Sequence, residues 1–429
     1  MALIAHEASH LTKGMSTALL SEVVETKQFP AELWNEISKA ERGDWGLTVV
    51  DVTAVLAACQ ASGVKDFVLL CKVAEICMPL LKDASAEDSL AVCEAFTSAG
   101  VQFEPLALAL GKKIPLATCP KDLIPRVVAF HSRQRSRSAV AGADDHVAAQ
   151  VKDLSQGDRM KTLHSLAALK LNDHLEKIQA TFEVDNLSPD ELAQFIHIHF
   201  LAKQDDPAVF VPMLEKLASQ LEKVDFEEEV ALARRVLLLR SCVRYMHKQA
   251  YRELKEPVAK MFKRVQRAEL PMMPPKETNF TTKLSELLRK LKVAHYVNAI
   301  RGPLVFDALE RDRKLVYECN NYHRFYASSH DKVASKCLQE RLVKAMGYRV
   351  VQIPHWHWKR IYLKRIRIEY VRTSRYLAIK DRRERGPREE LSDTAPPGWA
   401  GEYFTKYARP TRPWSWFEHS RKYVAESRA

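Results

Sequence analysis

Three features are scarce in this chain of 429 residues, and each scarcity excludes a class of protein. No apolar run approaches the ~20 residues that a helix needs to cross a bilayer, so no membrane span is predicted. The eight cysteines are scattered and form no CxxC pair. This favours small buried side chains in a reducing compartment over a zinc site, and neither a metal nor a cofactor is expected. Strand-like alternation is missing before about residue 300, so most of the chain is predicted to be helical.

Charge is unevenly distributed along the chain, although the net charge is only +12. Residues 1–120 contain 9 basic and 15 acidic side chains, whereas residues 280–429 contain 32 basic and 16 acidic ones. Solubility alone does not require such asymmetry. It predicts a polyanion, and nucleic acid above all, as the partner of the C-terminal part.

A helix-start signal recurs through the N-terminal part of the chain at steps of 33 to 37 residues. Each start has an oxygen-bearing side chain that can accept a hydrogen bond from the free amides of the first helical turn. The starts are Thr12, Thr48, Ser85, Thr118, Ser155, Ser188 and Asp225. Two amphipathic segments follow each of them, which predicts an α-solenoid of about seven helical hairpins. An irregular helical bundle is the alternative.

A small α/β module interrupts this helical pattern near residue 315. The sequence LVYEC predicts a short strand, and the helical spacing that follows it ends at Gly347, as a C-terminal glycine should. YRVVQIP then predicts a β-branched strand that ends at Pro354. The module is therefore expected to carry the chemistry that defines the protein.

Two stretches of this module, VYECNNYHRF and LVKAMGYRVVQIPHWHW, resemble the RAP domain over about Val305 to Tyr370. The resemblance implies an RNA-binding protein of an organelle, most often the mitochondrion, with the plastid as the alternative. The first thirty residues contain no arginine and are a poor match to a transit peptide. The residues alone therefore do not determine the subcellular location.

The RAP resemblance also implies a scaffold similar to the PD-(D/E)xK endonucleases, in which two carboxylates and a lysine serve metal-dependent hydrolysis. Asp307 and Glu318 match the carboxylate positions, but Asn320 stands where a nuclease has lysine. These three residues are therefore expected to be vestigial, with no catalytic residue assigned. A divergent metal-dependent RNA endonuclease, with Lys336 or Arg341 supplying the missing charge, is the competing hypothesis.

Residues expected to bind RNA combine aromatic rings, on which unpaired bases stack, with cations that neutralise phosphates. They lie in the loop after the first strand, at the end of the second strand and in the basic segment that follows: His323, Arg324, Phe325, Tyr326, His355, Trp356, Trp358, Lys359, Arg360, Lys364, Arg365 and Arg367. Core packing is the alternative for Trp356 and Trp358.

These patterns predict four segments. A helical repeat array spans residues 1–270, a linker 271–280, a RAP domain with flanking helices 281–380, and a basic aromatic extension 381–429. The predicted function is non-catalytic binding of organellar RNA, with ribosomal RNA favoured and ribosomal or other proteins as neighbours. A free factor for RNA stability or processing and a scaffold that binds an acidic protein are further alternatives.

Overall fold

A computed structural model of the chain describes residues 52–53, 56–57, 67–140, 144–173, 175–271 and 278–380. The described residues fall into two compact units, and the division along the chain lies between Ser165 and Leu166. Within the described ranges, no helix is both long and apolar enough to cross a membrane.

The described part of the first unit contains five helices and the start of a sixth. They are α1 (Phe67–Asp83), α2 (Ala86–Ser98), α3 (Glu104–Lys113), α4 (Ile124–Gln134), α5 (Asp144–Val151) and α6 (Gln156–Ala168). A buried amide holds α4 against the turn before α3: Gln134 Oε1 accepts from the Phe103 amide at 2.9 Å, and its Nε2 donates to the Val101 carbonyl at 2.9 Å. Arg126 and Glu94 add an ion pair between α4 and α2 at 2.5 Å.

Among its described residues, the second unit has seven further helices before a four-stranded sheet, and three more within and after the sheet. The helices before the sheet are α7 (Leu175–Gln179), α8 (Pro189–Ala202), α9 (Pro207–Gln220), α10 (Val230–Met246), α11 (Lys248–Arg252), α12 (Glu256–Arg267) and α13 (Asn279–Lys290). The remaining elements are β1 (His295–Arg301), β2 (Leu304–Glu310), β3 (Leu315–Asn320), α14 (Ala334–Ala345), β4 (Arg349–Pro354), α15 (His355–Arg360) and α16 (Lys364–Lys380).

Helix-start signals in the sequence are correct where the side chain reaches the first turn. Ser85 and Ser188 cap α2 and α8, and Ser188 forms a reciprocal capping box with Glu191. Ser155 directly precedes α6, and its hydroxyl accepts from the Asp158 amide at 3.2 Å. The prediction for Thr118 is wrong, because Leu116–Thr118 is a single 3₁₀ turn between Pro115 and Pro120.

The three remaining starts do not cap a helix of the described residues. Asp225 accepts from the Glu227 amide at 2.9 Å within a turn, and the helix begins only at Val230. Thr12 and Thr48 lie outside the described residues, as do residues 272–277 of the predicted linker and the whole extension from 381.

The sheet has the order β1-β2-β3-β4, with antiparallel pairs except for β3 and β4, which are parallel. The parallel pair needs a crossover, and α14 supplies it. Gly347 follows α14 with φ of 84°, which confirms its predicted role at the helix end. Strand β1, which begins at His295, was not predicted from the sequence. Asn298 interrupts its alternation of polar and apolar residues, and in the structure this residue takes a positive φ of 51°.

Helices cover both faces of the two central strands. One face packs Tyr317 and Cys319 of β3 with Leu284 of α13 and Val371 of α16 in a continuous apolar core. The other face meets α14, through the buried ion pair described below. Because β3 is buried along its whole length, its polar side chains must find partners inside the protein.

Helix α14 also contacts α8 and α10, so the sheet module and the preceding helical hairpins share one unit. Arg341 of α14 donates to the Phe200 carbonyl and lies 3.4 Å from Asp205. The Tyr326 hydroxyl donates to the Ala168 carbonyl at 2.6 Å. Arg341, one of the two candidates for a nuclease-like cation, is therefore held by the helical array.

The predicted fold class is confirmed as a helical chain followed by a small α/β domain with a four-stranded sheet. The solenoid character of the helical part stays a prediction. The division at 271–280 also stays a prediction, and it lies inside the second compact unit.

Candidate nucleic-acid interface

Asp307 of β2 is fully engaged by neighbouring groups. Its Oδ2 accepts from the Cys319 amide at 2.7 Å and lies 2.8 Å from Arg324 Nη1. Its Oδ1 accepts from Arg324 Nη2 at 2.9 Å, which completes a bidentate pair. Arg324 also donates to Asn320 Oδ1 at 3.2 Å, and Asn320 donates to Gln352 on β4. The Asp307 carboxylate therefore positions Arg324 and the loop after β3.

Glu318 of β3 is buried in a second ion pair. Its Oε2 lies 2.6 Å from Lys336 Nζ on α14, with both side chains 3% exposed or less. Burial acts to raise the pKa of Glu318, but Lys336 and Arg324 outweigh it, so the pKa is lowered and the group is ionised. A third buried pair joins Lys332, just before α14, to Glu340, one turn after Lys336 on that helix. Their charged groups lie 2.7 Å apart.

This arrangement does not fit a divalent metal. Each carboxylate that a nuclease-like scaffold would offer to the ion is already paired with a protein cation, Arg324 for Asp307 and Lys336 for Glu318. A Mg²⁺ ion between them would have to displace or neighbour these two positive groups, which is electrostatically unfavourable. Among the residues that the structure describes, no cluster of three His, Cys, Asp or Glu side chains has metal-binding spacing. The chemistry of the site is ion pairing that fixes the loop.

Most aromatic residues assigned to RNA stacking are buried, and for them that prediction needs correction. Phe325 is 0% exposed, Tyr326 2%, Trp356 4% and Trp358 6%, and His355 is also buried. A base needs an open ring face, and these rings face other protein groups. Trp356 packs against Phe325 with ring centroids 4.5 Å apart, for example. The sequence HWHW gives no sign of this burial. In the structure these four residues lie on a helix of only six residues, and all four rings are buried.

The predicted cations divide into paired and outward-facing groups. Arg367 donates from Nε to the Ile361 carbonyl at 2.5 Å and lies 5.0 Å from the Trp358 ring, so its role is local packing. Arg324 is the partner of Asp307, and Arg360 is half-buried. The side chains that remain exposed are those of His323, Lys359, Lys364 and Arg365.

A basic surface lies on α16 and the segment before it, and part of it was missed from the sequence. Tyr362 is 60% exposed and Tyr376 56% exposed, so the rings of both are open to solvent. Arg365, Arg372, Tyr376 and Lys380 are spaced by seven, four and four residues and are all exposed, so they share one side of α16. With Lys290, Tyr362 and Lys364 these residues are called the basic face below.

Two lysines of the basic face lie at the ends of two helices that contact each other. Lys290 ends α13 and Lys364 begins α16, and the adjacent Lys364 ammonium lowers the pKa of Lys290. Like charges in contact are unfavourable unless an anion lies between them. This spot is therefore suited to a phosphate group.

A carboxylate from β2 balances another part of α16. Arg375 Nε lies 2.6 Å from Glu310 Oε1, and the Tyr317 hydroxyl donates to the same oxygen at 2.7 Å. Arg375 is half-buried by this pair and is excluded from the basic face. Arg372 pairs with Glu369 at 2.8 Å but stays exposed, so it belongs to the face.

A comparison with known protein families matches residues 317–373 to the RAP domain. The chain contains a RAP domain. The match begins within β3 and runs through α14 and β4 into α16. It includes Arg324, the Glu318–Lys336 pair and part of the basic face, whereas Asp307 on β2 precedes it. RAP domains are a family of RNA-binding domains, and the match supports RNA binding by this chain. The comparison with curated proteins gave no match.

Proposed function

We propose that this protein binds organellar RNA without cleaving it, and that the basic face of its RAP domain makes the contact. The observation that carries the proposal is a surface that combines exposed tyrosine rings with exposed cations. It lies on α16 and the segment just before it, partly within the RAP match. Such a surface neutralises phosphates and stacks unpaired bases, the two main sources of affinity for single-stranded RNA.

The engagement of the nuclease-like carboxylates supports a binder over an enzyme. Asp307 and Glu318 serve ion pairs inside the domain, and the cations beside them oppose a catalytic metal. The strongly basic C-terminal half, joined to an acidic N-terminal part, further supports a protein that contacts RNA on one side and protein neighbours on the other.

Within this class we favour ribosomal RNA, with the protein acting as a mitochondrial ribosome component or assembly factor. Crosslinking and sequencing of the bound RNA in the cells of origin, together with a sedimentation profile, tests this assignment. Ribosomal RNA reads that co-sediment with a ribosomal particle are expected. Reads confined to a few transcript sites in light fractions would instead show a free regulator of RNA stability or processing.

RNA binding itself is tested with a triple substitution of Lys290, Lys364 and Arg365 by alanine. If each cation neutralises one phosphate, the slope of log K against log salt becomes about 2 units shallower, at about 0.7 per contact. Affinity for single-stranded RNA then falls on the order of 50-fold at physiological salt. Fluorescence anisotropy on a labelled RNA measures both quantities.

A matched control removes the same charge elsewhere. Lys112, Lys121 and Lys152 are exposed lysines of the first unit, and their replacement by alanine should leave the salt slope unchanged. Equal losses in the two triple variants would show that net charge, and not the basic face, determines binding.

A further inference from the structure

The helical part of the second unit contains a cavity of about 700 Å³ that the RAP domain does not explain. It opens beside α7, α8 and the start of α9. Its lining combines apolar side chains, two amides and several charged groups: Glu176, Gln179, Val184, Phe195, His199, Lys203, Gln204, Asp205, Asp206, Val209 and Met213. No part of the basic face contributes to it.

His199 lines this cavity with an unsatisfied imidazole. The residue is 5% exposed, and neither ring nitrogen makes a hydrogen bond of standard geometry, although the Gln204 backbone lies close to the ring. Its only ring contact of note is edge-to-face with Phe195 at 5.2 Å. Burial lowers the pKa of His199, with the Gln204 backbone and Asp205 partly opposing it, so the ring is neutral. A neutral ring offers one donor and one acceptor, and leaving them unpaired is costly unless a ligand uses them.

The polar groups around His199 present mainly acceptors. Gln179 Nε2 donates to Gln204 Oε1 at 3.1 Å, and Gln204 Nε2 donates to Glu176 Oε1 at 3.4 Å. This relay uses one N–H of each amide and leaves the Gln179 oxygen and the exposed Glu176 carboxylate to accept. Asp206 adds an exposed carboxylate at the start of α9.

Charge at the cavity is negative on balance. Asp205 lies 3.4 Å from the Arg341 guanidinium, which neutralises it, and 2.8 Å from the His247 ring. Glu176 and Asp206 then outnumber Lys203 among the remaining charged lining residues. An RNA phosphate would meet these carboxylates, so the cavity disfavours the partner that the basic face attracts.

We propose that this cavity is a docking site for an arginine side chain of a protein partner. A guanidinium carries five donors and no acceptor, which complements a lining rich in acceptors. Its planar faces and aliphatic stem match the apolar wall formed by Val184, Val209 and Met213. The exposed carboxylates of Glu176 and Asp206 would meet its charge.

Isothermal titration of the full-length protein with the capped tripeptide acetyl-Gly-Arg-Gly-amide tests this proposal. The matched peptide has citrulline in place of arginine, since citrulline keeps the shape and loses the charge. Saturable binding of the arginine peptide is expected, with the citrulline peptide at least about tenfold weaker, a difference of about 1.4 kcal/mol. No binding at millimolar peptide, or equal binding of both peptides, would refute the proposal.

Two variants locate the binding. Val209 is 40% exposed at the cavity, so Val209→Trp should fill the opening and abolish peptide binding without disturbing the core. Glu176→Gln should weaken binding severalfold, whereas Glu228→Gln, at an exposed carboxylate outside the cavity, should not. Circular dichroism confirms that each variant is folded.

Peptide binding that persists in folded Val209→Trp would place it elsewhere and overturn the proposal. The same titrations with single-stranded RNA separate this inference from the proposed function. RNA binding should be unaffected by Val209→Trp. Its loss there would assign the cavity to RNA and also overturn the proposal.

Discussion

Replacing Lys336 by methionine tests whether Glu318 is a structural carboxylate. Both side chains of the pair are 3% exposed or less and lie 2.6 Å apart, so the substitution leaves a buried carboxylate without its nearest cation. Breaking a buried ion pair in this way costs about 3–5 kcal/mol. Since folded domains are stable by only about 5–15 kcal/mol, a large part of the stability of the second unit should be lost.

The double variant Glu318→Leu with Lys336→Met distinguishes pairing from packing. Replacement of a whole buried pair by apolar side chains of similar size is often neutral or stabilising, so the double variant should regain most of the loss. Lys344→Met, at an exposed lysine in the last turn of the same helix, is the control and should change stability by less than about 0.5 kcal/mol.

Urea unfolding of the full-length protein measures these differences, followed by tryptophan fluorescence because Trp356 and Trp358 lie in the same domain. A Lys336→Met variant within about 1 kcal/mol of the wild type would refute the reasoning. So would a double variant no more stable than the single one. Either result would mean that Glu318 does not depend on Lys336 and is available to another ligand.

Three further predictions concern pH and the loop. Burial raises the pKa of Glu340 from 4.5 to about 7, so folding is weakened as pH rises from 4.5 through 7, by up to about 3 kcal/mol, and urea unfolding of Glu340→Gln should lack this decline. Because Lys364 lowers the pKa of Lys290, RNA affinity should fall at alkaline pH sooner than for an ordinary lysine, and anisotropy should show a smaller fall in Lys290→Ala. Asp307→Asn should lower the melting temperature by loosening Arg324, yet change RNA affinity less than threefold; a larger change would return Asp307 to the RNA site.

Local sequence patterns were sufficient to predict the central elements of the α/β module but not the edge strand of its sheet. β3, α14 and β4 follow from apolar runs and from Gly347 and Pro354, which act within a few residues. β1 was missed because it lies at the sheet edge, where Asn298 interrupts a pattern that is only partly buried. The Thr118 start failed because flanking prolines, and not a capping hydroxyl, determine the backbone there.

The candidate site was harder to predict because burial depends on tertiary contacts. Sequence reasoning found Asp307, Glu318 and Lys336, but only the fold pairs them. Aromatic rings at 325, 326, 356 and 358 carry no local mark that distinguishes a core ring from a stacking platform. Tyr362 has the opposite outcome, since it lies between two helices with its ring exposed.

The most direct test of RNA binding through the basic face is ultraviolet crosslinking of the full-length protein to single-stranded RNA, with the crosslinked residues identified by mass spectrometry. The account predicts crosslinks at Tyr362 and Tyr376, the exposed rings of that face. Crosslinks confined to Phe325, Tyr326, Trp356 or Trp358 would contradict it, because those rings would then have to leave the core to meet RNA.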